Sequence, residues 1–174
     1  MDLRYPLGRL TLDPEPTAEK RAQWIATIAA TPAALRAAVA GLGPAELDTP
    51  YRPEGWTVRQ LVHHLPDSHL NAYVRLKLAL TEETPTIKPY DEARWAELAD
   101  SRETPIEVSL TLLEALHERW VRLLAAMAPA DFRRAWRHPE LGERTVDELL
   151  QIYAWHGPHH VAHITALRQR QGWS

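Results

Sequence analysis

The chain of 174 residues contains no cysteine. Disulfides, thiolate metal sites and cysteine nucleophiles are therefore excluded, and a tightly held transition metal must be ligated by His, Asp or Glu. An excess of charge is also lacking. Twenty Lys and Arg stand against 23 Asp and Glu, a formal net charge of −3. That is too mild to point to nucleic acid or an anionic membrane as partner. The bases of RQRQ, 168–171, suit a cationic helix end. No stretch approaches the ~18 consecutive apolar residues of a membrane-spanning helix. The opening MDLRYPLGRL has no basic segment followed by an apolar run, so no secretory signal is read there. The expected setting is the cytoplasm.

Alternating strand patterns are almost absent, whereas helical periodicity is plentiful. Hydrophobic residues at 45% and charged residues at 25% are ordinary for a soluble domain, and the length suits one domain spanning 1–174. Residues 1–16, with three prolines, read as an extended arm packed on or across it. A helix opens at Thr17, with Pro32 expected to kink or split it. Residues 41–55 form a connection. TVRQ, 57–60, is a capping box opening a helix to about 82, with Pro66 inside. A proline-stiffened loop follows at 84–90, then a short helix at 91–99. Another long helix runs from Pro105 to Met127, with Val108, Leu112, Leu116, Leu123 and Met127 on its expected core side. Residues 128–144 read as irregular, with a helical turn at PADF. TVDE, 145–148, is a second capping box, opening a helix to about Gly172. The expected fold is all-α, a four-helix bundle with long crossovers and short extra helices.

The last helix carries WHGPHHVAHI, 155–164. At 100° per residue, His156, His159, His160 and His163 fall within an arc of about 100°. Leu149, Ile152 and Leu167 share that arc, so the histidines interrupt a core face. One buried imidazole is usually satisfied by a hydrogen bond. Several unpaired ones cost roughly 1–3 kcal/mol each, and a shared cation removes that cost by taking their lone pairs. Two i, i+4 pairs suited to chelation exist, His156/His160 and His159/His163, and helical spacing alone does not choose between them. A further ligand is expected from a facing helix, where HHLPDSH, 63–69, offers three histidines. His64 shares a face with Leu61, Leu65 and Ser68. His63 and His69 rotate off it and are expected away from the site. Asp67 could orient His64 or assist a bound water. Pro66 and Pro158 are each expected to bend a helix beside these residues.

The stretch GWTVRQLVHHLPDSHLNAYVRLKLALTEETPTIKPYDEARWAEL, 55–98, together with YAWHGPHHVAHI, 153–164, resembles the DinB-like superfamily. Within it the likeness is to the YfiT branch of bacterial proteins read as metal-dependent hydrolases. The likeness extends over nearly the whole chain. It implies a four-helix bundle, commonly homodimeric, holding one zinc or nickel ion per chain through His64, His156 and His160. His159 and His163 then lie around those ligands or contact substrate. The prolines at 66 and 158 depart from the helix-friendly residues expected there.

Three histidine ligands leave an open coordination position, as in catalytic zinc sites. The resemblance implies transfer of a low-molecular-weight thiol, bacillithiol-like, to an electrophile. The alternative is hydrolysis of a small amide or ester by a metal-bound water, for which Asp67 is the one candidate base. A non-catalytic metal-binding stress protein is a third reading. A di-iron site is disfavoured because only Glu114/His117 has the ExxH spacing, and haem has no attachment motif. Of seven tryptophans, Trp24, Trp56, Trp95, Trp120 and Trp155 read as packing residues, with Trp155 a candidate pocket wall. Lys88, Tyr90 and Asp91 sit on the ordinary crossover and are candidates to close over the site.

Overall fold

A computed structural model describes residues 2–173. The helices in chain order are α1 (Ala18–Val39), α2 (Pro44–Leu47), α3 (Val58–Thr81), α4 (Glu92–Trp95), α5 (Ala99–Glu103), α6 (Ile106–Ala125) and α7 (Val146–Gln171). Two short strands, β1 (Ala135–His138) and β2 (Gly142–Thr145), form an antiparallel hairpin. The starts of three long helices follow from side-chain caps. Thr17 accepts from the Lys20 amide. Thr57/Gln60 and Thr145/Glu148 form reciprocal capping boxes, so orphan amides are satisfied at α3 and α7. Gly172, in the left-handed region at φ 66°, ends α7.

Side-chain contacts define the bundle order. Arg21 pairs with Asp147, and Thr31 lies against Gly157, so α1 and α7 run parallel. His64 meets His156, and Ser68 meets Tyr153, so α3 opposes α7. His63 meets Ser109 and His69 meets His117, so α3 and α6 run parallel. His117 reaches the Ile28 carbonyl and Arg36 reaches Glu107, so α6 opposes α1. Around the bundle the order is α1, α6, α3, α7. Consecutive long helices α3 and α6 point the same way, so residues 82–105 must travel back the ~36 Å length of a 24-residue helix. That segment carries α4 and α5. His63 of α3 fastens the end of the segment through the Thr104 carbonyl and the start of α6 through Ser109 Oγ.

The apolar core falls into two clusters. One contains Ile28, Ala72, Leu76, Trp120, Leu149 and Tyr153. The other contains Leu35, Leu61, Leu65, Leu113, Ile164 and Leu167. Between them along the helices lies a layer of buried histidines. The arm crosses the bundle as expected. Asp13 exchanges two hydrogen bonds with the Gln151 side chain, and the His163 Nε2–H donates to the Arg4 carbonyl.

Three expectations need correction. α1 is one helix running through Pro32, because packing on both neighbours outweighs one lost hydrogen bond. The core side of α6 is only partly the expected one: Leu116 is buried and Leu123 and Met127 pack on the core as expected. Val108 and Leu112 are 57% and 46% exposed, while Leu110, Leu113, Leu116, His117, Trp120 and Leu124 are buried. Leucines occupy both sides of this helix, so periodicity alone does not choose between them. Residues 128–144 hold the hairpin as well as the short 3-10 turn Asp131–Arg133. Its strands are four residues each and rich in charge, so alternation was too brief to register.

Candidate metal centre

α3 and α7 bring His64, His156 and His160 together. His156 Nε2 lies 3.4 Å from His64 Nε2 and 3.2 Å from His160 Nε2. One nitrogen from each ring lies within 4.8 Å of the others. Metal–nitrogen bonds of about 2.0–2.1 Å in tetrahedral array place ligand nitrogens about 3.3–3.4 Å apart. The spacing along both His156 contacts matches that requirement without rearrangement. His159 and His163 sit on the same helix and line the same cavity without joining the three-nitrogen cluster. His159 stacks on Trp155, ring centroids 4.1 Å apart, and His163 packs on Tyr51 at 4.3 Å.

Burial decides the charge of this cluster. It pushes His64 down to about 4. His156 and His160 are held well below the usual imidazole range, first by burial and then by neighbouring imidazoles. Neutral rings keep lone pairs to donate, the state a cation needs. Trp56 covers His64, with ring centroids 4.6 Å apart. The cluster forms part of the wall of a cavity of about 580 Å³. Tyr5 of the arm, Arg52, Ser68, Arg75, Tyr90 and Tyr153 also line it. Its carboxylates are Glu54 and Glu92, both exposed.

Residues 18–164 match the DinB superfamily. The chain belongs to that superfamily. A relative from Bacillus mycoides (strain KBAB4), 52% identical over 172 residues and covered to 99% on both sides, is named "Putative metal-dependent hydrolase". A relative from Bacillus cereus (strain 03BB102) carries the same name at the same identity and coverage. The solved structure of YfiT from Bacillus subtilis superposes with a TM-score of 0.98 at 47% identity, covering 100% of both chains. It is described as "a probable metal-dependent hydrolase with an unusual four-helix bundle topology". The parallel α3/α6 and α1/α7 pairs are the topology of this DinB-superfamily chain. TT2238, a four-helix bundle protein, shares the fold at 21% identity and TM-score 0.56.

Other expected site residues are placed differently. Asp67 lies outside the cavity wall, and its carbonyl accepts from the Asn71 side chain. It is half-buried on the α5 side, where burial and then Asp100 push its carboxyl up to about 6. His69, expected away from the site, is wholly buried and bonds His156 directly, Nε2 to Nδ1 at 3.1 Å. The buried face of α3 addresses both α7 and α6, so it is wider than the His64 side alone. His117 was missed as a site neighbour, and its only signal was the spacing to Glu114. Glu114 is exposed and pairs with Arg36 instead. Trp155 backs His159 without lining the cavity. Tyr90 is in the cavity wall, whereas Lys88 is exposed and Asp91 caps α4 through the Arg94 amide. Among the described residues no helix is long and apolar enough to cross a membrane.

Proposed function

We propose that this chain is a metal-dependent S-transferase that joins a low-molecular-weight thiol, bacillithiol-like, to an electrophile. Zinc or nickel, one ion per chain, would be held by His64, His156 and His160. The observation that carries this reading is three imidazoles from two helices converging in the wall of an open cavity, with the His156 contacts at metal-chelating separation. A cation there would keep a coordination position for an incoming ligand and acidify a thiol or water placed in it.

The chain's own residues favour a thiol over water. Hydrolysis calls for a general base beside the attacking water; Asp67 lies outside the cavity wall, and the wall carboxylates Glu54 and Glu92 are both exposed to solvent. The Tyr153 hydroxyl donates to the Ser68 carbonyl, and burial pushes it up from its usual value; it keeps its proton. Arg52 and Arg75 line the cavity with positive charge, which suits an acidic cosubstrate. Tyr5 of the arm closes one side. In the transfer, a C–S bond forms, the leaving group departs with its electron pair, and the thiol proton passes to solvent.

Hydrolysis of a small amide or ester is the second reading, favoured by the names of the relatives. Purified protein given a small thiol and monochlorobimane should conjugate them only when metal is present. Cleavage of esters or amides without conjugation selects the hydrolase, and absence of any turnover selects a metal-binding stress protein. His64→Ala should abolish both the bound ion and turnover. One tightly held ion per chain in that variant would overturn the ligand set. The proposal includes a homodimer, as the resemblance implies; a one-chain mass in sedimentation equilibrium at tens of micromolar would remove it.

A further inference from the structure

Two buried histidines stand behind the proposed ligands. His117 Nδ1 lies 2.7 Å from the Ile28 carbonyl oxygen. Its Nε2 lies 2.8 Å from His69 Nδ1. His69 Nε2 lies 3.1 Å from His156 Nδ1. The line therefore runs from α1 through α6 and α3 to α7, touching every long helix.

Its direction is set from one end. A carbonyl only accepts, so His117 Nδ1 carries the hydrogen. A neutral imidazole has one N–H, and both inner rings are buried with no carboxylate among their hydrogen-bond partners to hold a second proton. His117 Nε2 therefore accepts, and His69 Nδ1 donates to it. His69 Nε2 in turn accepts from His156 Nδ1–H. The last nitrogen, His156 Nε2, is left with a bare lone pair. It is the atom that faces both His64 Nε2 and His160 Nε2.

The starting carbonyl is available for a reason readable in the sequence. Ile28 is four residues before Pro32. Proline has no N–H, so the Ile28 carbonyl loses its usual helical donor. A buried carbonyl left without a donor is costly, and the His117 N–H supplies one. Because the line ends at a carbonyl, it offers no exit for a proton and serves orientation alone.

We propose that His117 and His69 are positioning residues: anchored on the carbonyl that Pro32 frees, they hold His156 as its Nδ1–H tautomer with Nε2 aimed at the metal position. Metal-binding histidines commonly donate their second N–H directly to a carboxylate or carbonyl. Here two imidazoles relay that role around the bundle from α1 through α6 and α3. The use of the device rests on the metal-site reading; the tautomers themselves do not.

The tautomers can be read in metal-free wild-type protein by long-range ¹H–¹⁵N spectra near neutral pH. Nδ1–H is expected at His69, His117 and His156. Nε2–H at any of the three overturns the assignment, whether or not the protein binds metal. Zinc affinity, measured by chelator competition, tests the consequence. His117→Phe should weaken zinc binding by about 10–100-fold. His117→Gln can still donate to Ile28 and accept from His69, and should stay within about threefold of wild type. Wild-type affinity in His117→Phe, or equal losses in both variants, would overturn the proposal. Should His117→Phe not fold, the wild-type tautomers still decide it.

Discussion

Gly157 lies between two residues of the histidine stripe, where α7 presses closest on α1. A Cβ at this position would lie 2.5 Å from Thr31 Cγ2, 2.7 Å from Thr31 Oγ1 and 3.2 Å from Thr31 Cβ. Thr31 cannot swing away freely. It is 2% exposed, and its hydroxyl donates to the Thr27 carbonyl. Gly157→Ala should therefore force the two helices apart or break that bond. Overpacking of this kind costs about 1–3 kcal/mol, against a gain of up to about 1 kcal/mol from replacing glycine within a helix. The net loss should be about 1–2 kcal/mol. For a chain of this length that lowers the midpoint of thermal unfolding by about 2–8 °C, as followed by circular dichroism. The decisive arm is Thr31→Ala. It removes the two closest atoms and leaves only the 3.2 Å contact. In that background Gly157→Ala should cost less than about 0.5 kcal/mol, or stabilise through helix propensity. An unchanged midpoint for the single variant, or equal cost in both backgrounds, would refute the steric account. Because His156 and His160 flank this contact, the same displacement should weaken metal binding in Gly157→Ala and spare it when Thr31 is also truncated.

Acid should unfold the metal-free protein. Burial is the largest cause lowering the pKa of His63, His64, His69, His117, His156, His159, His160 and His163, so the unfolded chain binds more protons, and stability is lost as pH falls from about 6.5 toward 4; a flat unfolding free energy across that range would contradict it. Asp67→Asn should raise stability at pH 7 by about 1 kcal/mol after allowing for solvent screening. A carboxyl raised to about 6 favours the folded state when protonated, so its contribution is lost as pH rises through roughly 4 to 6. Metal affinity should not change, and a tenfold loss would return Asp67 to the reacting machinery. Arg21 grips Asp147 through two 2.7 Å bonds with both side chains mostly buried; Arg21→Met should cost about 2–4 kcal/mol in urea unfolding by stranding the carboxylate, with metal binding retained, and a loss below about 0.5 kcal/mol would mark the pair as solvated.

What could be read in advance follows from which interactions are local. Capping boxes at Thr57 and Thr145 act within four residues, so the starts of α3 and α7 were legible. The histidine stripe was legible because helical periodicity turns spacing into a shared face. The inward face of α6 was not, since leucines stand on both sides and only its neighbours decide which is buried. The hairpin 135–145 was hidden by its brevity and its charges.

The larger omission is instructive about Pro32. Taken alone, a proline in a helix predicts a kink or a split, and α1 is not split. Its effect lies instead in the carbonyl it leaves unpaired one turn earlier. That vacancy has meaning only once α6 is known to run antiparallel beside α1, bringing His117 within 2.7 Å. His69 is concealed for the same reason, because its partners come from α6 and α7, 48 and 87 residues away in sequence. The proposed ligands on α7 announce themselves through periodicity on one helix. The residues that aim them depend on the order α1, α6, α3, α7. Disturbing the α1–α6 or α6–α3 contact at His117 should therefore loosen His156 while all three proposed ligands remain.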